Sequence, residues 1–581
     1  MGTSGLEKFI DAPDHQTINR MHNRLRTTFP IISWLPQYEA QWLRFDFIAG
    51  ITLAAYAIPV SLAYASLAGL PSQSGLYCYL LGCLAYAVFG TSRQLAIGPT
   101  SAISILIGGT LAIVARGSAT NQLHLAMATG VLAGIIGVLA WLFRMGSLVN
   151  FVSETVLTGF KVGAGLVIAS TQLPKLFGFS SAGDNFFTRI IDVVRHLPQT
   201  NWPTFAIGIG ALILLYLGEK LLPGLPVALF VMVLSIVLMT FTAMSAHGVK
   251  TIGLIPAGLP HFGWPLVHWN EADDLLPLAL ACFLLSYVES ISTARTFALK
   301  YGYEVNADQE LLALGAANLA AGLGQAYPLA GGMSQSAVNE KSGAKTPLSL
   351  VFASVTIGVV LLFLTGLMKN LPSPILAAVV LMAVKGLISP SELRHLNRVS
   401  KFEFRVAMVA MVGVLLFGIL KGVLLAAVFS VVVLLRRASR PRVLTLGRLP
   451  GTDRFVDAER YPEHESVPDA VVVRVESGLF YFNVQNVKAE ILDRLDHFHS
   501  KGKTRLLIID FSTTANIDVA GARMLRELKG QLARKDVVLK LAEVHGDVRD
   551  LLQAEGVLDI EGSERREGIV FFVDQALQPN H

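Results

Sequence analysis

Long apolar runs with few charges fill the chain from Phe47 to about Leu435, and the pattern of an ordinary soluble domain follows Arg436. A helix that crosses a bilayer needs about 20 mostly apolar residues. On this measure the pattern predicts fourteen membrane spans. They start near Phe47, Ser74, Thr100, His124, Ser153, Pro203, Pro226, Leu276, Leu311, Met333, Pro347, Pro372, Arg405 and Lys421. An even number of spans places both chain ends on the same side of the membrane.

Two of the predicted spans are interrupted. Residues 96–102 and 327–337 each place a Gly/Pro break before small hydroxyl residues, inside what should be membrane. The breaks lie 331 − 98 = 233 positions apart, and the first and eighth spans start 276 − 47 = 229 positions apart. Matching interruptions in two halves are typical of a transporter's binding site, although Gly and Pro can also simply kink packed helices. Seven spans per half, an odd number, predict two inverted repeats.

A helix that begins in mid-membrane directs unpaired backbone N–H groups and a partial positive charge at whatever lies beyond its end. Two such ends that face each other form an anion site. The predicted substrate-binding residues are those at the two breaks: Thr100, Ser101, Ala102, Met333, Ser334 and Gln335. This chemistry suits a small oxyanion or a carboxylate and does not suit a cation.

The eighth span carries an acid, Glu289, well inside an apolar stretch, and Thr293 follows one helical turn later on the same face. Ionisable groups inside a membrane are functional by default. We expect Glu289 and Thr293 to couple transport to a cation, either by carrying H⁺ or by ligating Na⁺; burial as a neutral packing group is the alternative. Lys161, in the fifth span, either snorkels, pairs with an acid or lies near the anion path.

Composition supports a membrane protein. Among 581 residues 53% are apolar and 15% are charged, with a mean hydropathy of +0.55, whereas soluble domains carry about 25% charge. The net charge of +5 reflects basic residues near span ends rather than nucleic-acid binding. Arg436 and Arg437 directly follow the last span. They predict cytoplasmic termini in the inner (plasma) membrane, and the polar start of the chain argues against a cleaved signal peptide.

Enzyme chemistry is not indicated. The three cysteines all lie in apolar runs, so neither a disulfide framework nor a zinc site is expected. The sequence contains no nucleophile–base constellation, P-loop or metal motif, and we therefore expect no catalytic activity, no cofactor and no ATP-driven pump.

Several motifs resemble the sulfate permease (SulP) family. They are D-x-x-A-G from Asp46, a proline at Pro59, A-Y-A-x-x-A-G-L-P from Ala63, G-L-Y from Gly75, F-G-T-S-R from Phe89, and G-P at Gly98. The run from Ser334 to Asn339 continues the match in the second half. The resemblance departs at Pro59-Val60, where many members have Pro-Gln, and at Ser334-Gln335-Ser336, where many have Ser-Arg-Ser.

The resemblance implies a polytopic α-helical membrane protein of fourteen spans in two inverted seven-span repeats, divided into a core and a gate domain. It also implies a homodimer in the lipid bilayer, an anion site between the third and tenth half-helices, a coupling acid on the eighth span, and elevator-like movement of the core. The expected function is secondary active transport of a small inorganic anion or carboxylate (sulfate, bicarbonate or a dicarboxylate), by symport with H⁺ or Na⁺.

The soluble tail resembles a STAS domain, an α/β module. Val471 to Phe482 alternates like a strand, Val484 to Phe498 has helical periodicity, and Leu506 to Ser512 reads as a buried strand that leads to a helix. Related signalling domains carry a phosphorylatable Ser or Thr in a loop that is here 517–521, without either residue. We expect a dimerisation or docking module, with a cytoplasmic N-terminal segment over 1–45, the transporter domain over 46–437, a linker over 438–466 and the STAS domain over 467–581.

Three other functions remain open on the sequence alone. The protein could exchange anions without cation coupling, or it could be a nucleobase permease, which shares the inverted-repeat architecture. The third is a signalling scaffold whose spans only anchor the tail. The G-L-Y and G-T-S-R motifs argue against the nucleobase permease, and the paired breaks and Glu289 argue against the scaffold.

Overall fold

The computed structural model describes residues 28–115, 119–147, 154–179, 185–222, 225–242, 247–267, 272–500 and 504–558, with 569–570, 573 and 577 beyond them. Residues 1–27 of the predicted N-terminal segment, and the predicted span start at Ser153, lie outside the described residues. The chain divides into two compact units at the bond between Ser430 and Val431. The predicted domain boundaries stay predictions.

The first unit is helical, and its last helix, α17, continues past Ser430 into the second unit. Its helices are α1 (Ile31–Trp34), α2 (Leu43–Leu67), α3 (Ser72–Phe89), α4 (Ser101–Val114), α5 (Ala119–Leu142), α6 (Glu154–Phe177), α7 (Phe186–His196), α8 (Trp202–Leu221), α9 (Val227–Phe241), α10 (Ala272–Tyr301), α11 (Ala307–Leu323), α12 (Met333–Lys341), α13 (Leu348–Phe363), α14 (Ser373–Lys385), α15 (Pro390–Val399), α16 (Lys401–Phe417) and α17 (Ile419–Ala438). Two short strands, β1 (Ile97–Gly98) and β2 (Ala330–Gly331), precede α4 and α12.

A described helix begins within five residues of each of the fourteen predicted span starts. Within the described residues, six helical segments are long and apolar enough to cross a membrane, and three shorter helices, α4, α9 and α13, are apolar. The structure therefore confirms a polytopic helical protein, and the count of fourteen spans stays a prediction. The sequence pattern did not predict α7 and α15, which are short and largely polar on one side.

The second half of this unit repeats the first. In the described part of the chain, both α2–α9 with β1 and α10–α17 with β2 follow one order: two helices, a strand, a half-helix and five further helices. Contacts between the halves follow the same correspondence. Helix α2 packs on α13, and its counterpart α10 packs on α5; likewise α6 packs on α16, and its counterpart α14 packs on α8. An approximate twofold axis therefore relates the halves.

Glycines allow the two halves to approach closely. At the crossing of α5 and α11, a Cβ atom built on Gly130 would lie 3.0 Å from the Cα of Gly322, and one on Gly137 would lie 3.0 Å from the Cα of Gly315. Small residues at such crossings are typical of membrane helices, where close backbone packing replaces the hydrophobic driving force. Helices α5 and α11, one from each half, therefore pack backbone against backbone.

The second unit is an α/β domain. Its strands are β3 (Val443–Arg448), β4 (Phe455–Asp457), β5 (Ala470–Val475), β6 (Leu506–Asp510), β7 (Val538–Ala542) and β8 (Ile569–Val570), and its helices are α18 (Val484–His499), α19 (Val519–Ala533) and α20 (Gly546–Ala554). The sheet order is β4-β3-β5-β6-β7-β8, parallel from β5 onward. The predicted α18 and β6 are confirmed. The strand predicted to reach Phe482 ends at Val475, because the chain turns at Gly478 and Asn483 caps the turn by accepting from Phe480 N.

Candidate functional site

The two breaks meet as a two-stranded antiparallel ladder. Ile97 pairs with Gly331 and Gly98 pairs with Ala330. If 233 is added to the positions in the first half, each of these pairs maps onto the other, so the twofold axis of the fold passes through the ladder. The half-helices α4 and α12 begin directly after the strands, at Ser101 and Met333. Their N-terminal ends therefore lie side by side in the interior, as the sequence predicts.

The side chains of Gln335 and Ser336 hold the ladder together. Gln335 Nε2 donates to the carbonyl oxygens of Ala96, at 3.0 Å, and of Ala330, at 3.1 Å, so one amide bridges both strands. Its Oε1 accepts from the hydroxyl of Tyr79. Ser336 Oγ accepts from the N–H of Ala96 at 2.9 Å. Gln335 is buried and both of its side-chain N–H groups are used, which leaves none for a ligand.

Gly98 is required by the same cluster. A Cβ atom at Gly98 would lie 2.4 Å from the ring of Tyr79, a contact that no side chain can accept. The glycine therefore lets the tyrosine ring pass under the strand and reach Gln335. This gives the Gly of the first break a packing reason in addition to its role as a helix breaker.

Helix α10, which carries Glu289, is hydrogen-bonded to β2 and to the residue that precedes it. Ser290 Oγ accepts from the N–H of Gly331 at 2.7 Å, and Ser286 Oγ donates to the carbonyl of Leu329 at 2.7 Å. All three elements around the break therefore share hydrogen bonds, and the acid is held at a fixed place relative to the half-helices.

The half-helix ends offer donors. Ser104 N bonds to the carbonyl of Thr100 and Ser336 N bonds to the carbonyl of Gly332, which are the first turns of α4 and α12. The N–H groups that precede these bonds have no partner within their own helix. Thr100, Ser101 and Ala102 are buried, whereas Met333 and Ser334 are exposed. One end of the site is therefore enclosed and the other is open.

Two tyrosines of α2 complete the site, and the sequence pattern did not predict them. The hydroxyl of Tyr64 faces Ser101 on α4, and the hydroxyl of Tyr56 faces Ser334 on α12. Each half-helix thus has a phenol next to its first serine. A signal existed, because Tyr64 is the aromatic residue of the A-Y-A motif and Tyr56 lies in the same apolar span.

Glu289 faces Thr100, the residue that directly precedes α4, and Lys161 on α6. The Oε2 atom of Glu289 and the Oγ1 atom of Thr100 are both buried, and neither forms a hydrogen bond with a residue the structure describes. Thr293 does not complete this group as expected, because its hydroxyl donates to the backbone carbonyl of Glu289, at 2.9 Å, and not to the carboxylate. The acid therefore lies next to Thr100, at the start of α4.

The predicted residues lie at the two half-helix ends and on the adjoining part of α10. Two of them, Gln335 and Thr293, direct their side chains at backbone carbonyls. Among the described residues, no group of three or more His, Cys, Asp and Glu could hold a metal ion. The arrangement has backbone N–H groups and five hydroxyls, those of Thr100, Ser101, Ser334, Tyr56 and Tyr64, at the two half-helix ends, with Lys161 near Glu289. Such a set can hold a small anion and, at the buried carboxylate, a proton.

In the tail, the loop where related signalling domains are phosphorylated begins α19. Asp518 caps this helix: its Oδ1 accepts from Gly521 N at 2.9 Å, and its Oδ2 accepts from Tyr481 N at 2.8 Å. Val519 follows the cap and is exposed. The exposed position thus carries an isopropyl group rather than a hydroxyl, and the aspartate is used for structure.

Sequence comparison identifies relatives over nearly the whole chain. The sulfate permease family matches residues 43–410, and the STAS domain family matches residues 461–568. A probable sulfate transporter of Mycobacterium tuberculosis is 33% identical over 543 residues, covering 92% of this chain and 97% of the relative. The chloroplastic sulfate transporter 4.1 of Arabidopsis thaliana is 32% identical over 562 residues, covering 94% and 82%.

Solved structures share the fold. The murine solute carrier 26 family member A9 anion transporter, in its inward-facing state, matches with a TM-score of 0.87 at 22% identity, covering 98% of this chain and 96% of that one. The transmembrane domain of a cyanobacterial bicarbonate transporter matches with a TM-score of 0.60 at 21% identity, covering 68% and 98%. Since these relatives are named transporters, the expectation that the chain is not an enzyme is confirmed. With a family match over most of its helical unit and a second match over its tail, the chain belongs to the sulfate permease family and carries a C-terminal STAS domain.

Proposed function

We propose that this protein is a secondary active transporter that moves a small inorganic anion or carboxylate together with a cation. The observation that carries the proposal is the pair of half-helix ends, α4 and α12, joined side by side by the β1–β2 ladder. Each end contributes roughly +0.5 charge, worth about 0.3–1 kcal/mol at exposed sites and up to about 2 kcal/mol when partly buried. Together they attract an anion and repel a cation.

The substrate class follows from the donor set. Backbone N–H groups at Ser101, Ala102, Met333 and Ser334, with the hydroxyl of Thr100, place several hydrogen-bond donors at the two half-helix ends. Sulfate, bicarbonate and dicarboxylates all offer the required oxygen acceptors. The sulfate transporters named among the relatives, and the bicarbonate transporter among the solved structures, make sulfate and bicarbonate the first two to test.

We assign Gln335 a positioning role rather than direct contact with the substrate. Its amide is already engaged with Ala96, Ala330 and Tyr79, and this holds the two half-helix ends at a fixed separation. Glu289 is the coupling group, and the hydroxyl of Thr293 bonds to the backbone carbonyl of Glu289 rather than to its carboxylate.

H⁺ is the coupling ion we favour over Na⁺. The oxygen Oε2 of Glu289 is buried and has no partner among the described residues, which suits a carboxyl group that holds a proton during part of the cycle. A Na⁺ ion would need several oxygen ligands, and the hydroxyl of Thr293 is already directed at a carbonyl.

The wider assembly is proposed on the same basis. Both termini and the STAS domain lie in the cytoplasm, the protein works as a homodimer in the plasma membrane, and an elevator-like movement of a core domain against a gate domain carries the site across. The basic cluster of Arg436, Arg437, Arg440 and Arg442 supports the orientation, because cytoplasmic loops are enriched in Lys and Arg.

Purified protein in proteoliposomes tests the proposal. Uptake of radiolabelled sulfate, bicarbonate, succinate and uracil would be measured with no gradient, with an imposed pH gradient and with an imposed Na⁺ gradient. We expect saturable uptake of at least one anion, driven uphill by the pH gradient, and no uptake of uracil. Uptake of uracil alone would instead identify a nucleobase permease, and absence of all flux would contradict the proposal.

A variant ties the flux to the site. Ser334 is exposed, so Ser334→Trp should abolish transport while the protein still inserts and elutes as a folded species. Ala102→Trp should do the same, although Ala102 is buried and its folding must be checked. Wild-type transport rates in Ser334→Trp would show that the anion site is elsewhere.

Anion exchange without cation coupling is the second candidate function. The same half-helix site serves either mode, and the buried Glu289 is what favours symport. The two modes separate in one measurement: an exchanger loads vesicles only when they contain a counter-anion, whatever the pH or Na⁺ gradient.

A further inference from the structure

We infer that Lys161 supplies the fixed positive charge of the anion site, and that Glu289 and the anion compete for it. The inference rests on the proposed function, because it names the charge that the half-helix site uses. The starting point is that the half-helix ends lack a full positive charge. The two helix ends provide only partial charges, and the side chain of Gln335, in the first turn of α12, is neutral and already hydrogen-bonded to two carbonyls.

The position of Lys161 on α6 directs it towards the half-helices. Successive residues of a helix are about 100° apart, so Lys161, Ala164, Ile168 and Lys175 share one face. Ala164 and Ile168 are completely buried, and Lys175 Nζ lies 3.4 Å from Ser66 Oγ on α2. This face of α6 therefore meets the helices that form the site.

The opposite face of α6 is occupied by other helices. Cβ atoms built on Gly159 and Gly163 would lie 2.0 Å and 2.8 Å from the carbonyl oxygens of Ala407 and Met411 on α16. Because α6 is pressed against α16 at these glycines, it cannot rotate to turn Lys161 away. Helix α6 also packs directly against the half-helix α4.

Lys161 is half-buried and acts electrostatically on Glu289. Among the described residues no ion pair joins the two groups, and the Oε2 atom of Glu289 has no hydrogen-bond partner there. The lysine and the carboxylate therefore influence each other without direct contact, and Thr100, just before the first turn of α4, is the carboxylate's other neighbour. An anion bound at the start of α4 would be attracted by Lys161 and repelled by an ionised Glu289.

A coupling rule follows from this geometry. While Glu289 is ionised, its charge offsets that of Lys161 and the site is a poor anion site. When Glu289 takes up a cation, the charge of Lys161 is left for the anion. Anion and cation binding are then mutually favourable through one lysine, and linkage requires each to strengthen the other by the same factor.

The first test compares two tetrahedral oxyanions of different charge, sulfate (−2) and perchlorate (−1), as competitive inhibitors of the anion flux of the full-length protein. Coulomb energy is proportional to the charge of the ligand. The fold-increase in the inhibition constant of sulfate in Lys161→Gln should therefore be about the square of that of perchlorate, for example about 16-fold against about 4-fold.

Two further variants separate charge from packing. Lys161→Arg keeps the charge, so the inhibition constants of both anions should stay within about 3-fold of the wild-type values. Lys175 lies on the same face about 21 Å along the helix, and Lys175→Gln should change the two inhibition constants only slightly and by the same factor. Equal fold-changes for the two anions in Lys161→Gln, or a loss in Lys161→Arg as large as in Lys161→Gln, would overturn the inference and leave a structural lysine.

The competition with Glu289 is tested by a double-mutant cycle. Glu289→Gln should tighten sulfate inhibition when Lys161 is present and leave it unchanged in the Lys161→Gln background. The same change in both backgrounds would show that the two groups act independently. If neither anion inhibits the wild type, the site near Lys161 does not bind a tetrahedral oxyanion and the inference fails, whereas absence of any anion flux in the wild type would be the failure of the proposed function.

Discussion

The backbone N–H of Ala96 donates a 2.9 Å hydrogen bond to the hydroxyl of Ser336, across the twofold axis that relates the two halves of the helical unit. The donor lies on the chain that leads to α4, and the acceptor lies in the first turn of α12. The first turn of α12 is thus held by the backbone of the other half. The spacing of the two helix ends depends on these cross-bonds and not on the packing of either half alone.

The first prediction concerns that cross-bonding. Gln335→Leu leaves the carbonyls of Ala96 and Ala330 and the hydroxyl of Tyr79 without their partner. A buried polar group left unpaired costs about 1–3 kcal/mol, so the free energy of unfolding should fall by at least that amount. Thermal unfolding in detergent measures it, with Lys341→Gln, an exposed change at the far end of α12, as the control. Equal melting temperatures for the two variants would contradict the role of Gln335.

The second prediction concerns the two phenols of α2. Tyr64→Phe removes the hydroxyl that faces Ser101, and Tyr56→Phe removes the one that faces Ser334. A net hydrogen bond is worth about 0.5–1.5 kcal/mol, so each change should raise the KM for the transported anion about 2- to 10-fold with little effect on the fold.

The matched control for the tyrosines is Tyr77→Phe. The hydroxyl of Tyr77 donates to the carbonyl of Gly258, at 3.2 Å, away from the half-helix ends. It should leave the KM unchanged. If all three Phe variants behaved alike, the phenols of α2 would have no particular part in binding the anion.

The sequence predicted the two half-helices and their pairing because Gly, Pro and small hydroxyl residues recur 233 positions apart. The pattern at each break involves only neighbouring residues, and it occurs once in each half. The sequence also indicated Glu289 as a candidate functional residue, because an acidic residue within an apolar run can be recognised without the tertiary structure. Gln335 and Thr293 were given roles that their contacts do not support. The direction of a side chain depends on which partner lies within reach, and the carbonyls of Ala96 and Glu289 became near neighbours only when the chain folded.

Tyr56, Tyr64 and the direction of Lys161 could not be predicted from the spans themselves. Each lies in a run in which a phenol or a long lysine stem is compatible with simple burial. Tyr56 and Tyr64 on α2, and Lys161 on α6, become candidate site residues only because these two helices pack against the half-helices in the folded protein. The amphipathic helices α7 and α15 were missed for a related reason, since a window of span length averages their polar residues with the apolar runs beside them.

The third prediction concerns the tail. Deletion of the chain from Arg442 onward, just before β3, removes the whole α/β sheet, which has its own apolar core. Every residue assigned to the site lies upstream of Ser430. The truncated protein should therefore still insert and keep the same order of preference among anions, while its assembly or its maximal rate declines. Size-exclusion chromatography in detergent and competition between anions in proteoliposomes would test this, and an altered order of preference would contradict it.

The fourth prediction concerns the energy source. With a negative cell interior, each unit charge that enters costs about 2.3 kcal/mol per 100 mV, so a divalent anion alone climbs about 4.6 kcal/mol per 100 mV. A cation that enters with it offsets that cost. Glu289→Gln keeps the shape of the side chain and removes its titration, next to Thr100 and Lys161. It should abolish uphill uptake under a pH gradient, whereas exchange of anions down their own gradient should survive.

Two measurements on the same vesicles decide the role of Glu289. Counter-flow of labelled anion against unlabelled anion reports whether the half-helix site still binds and moves its substrate, and accumulation under an imposed pH or Na⁺ gradient reports coupling. Thr293→Val is the matched control, because the Thr293 hydroxyl bonds only to a backbone carbonyl one turn away and its loss should leave both readings close to wild type. If Glu289→Gln still concentrates the anion under the gradient, the carboxylate does not carry the coupling ion. If it loses counter-flow as well, the carboxylate is part of the binding site itself, and the separation of anion and cation sites along α4 and α10 is wrong.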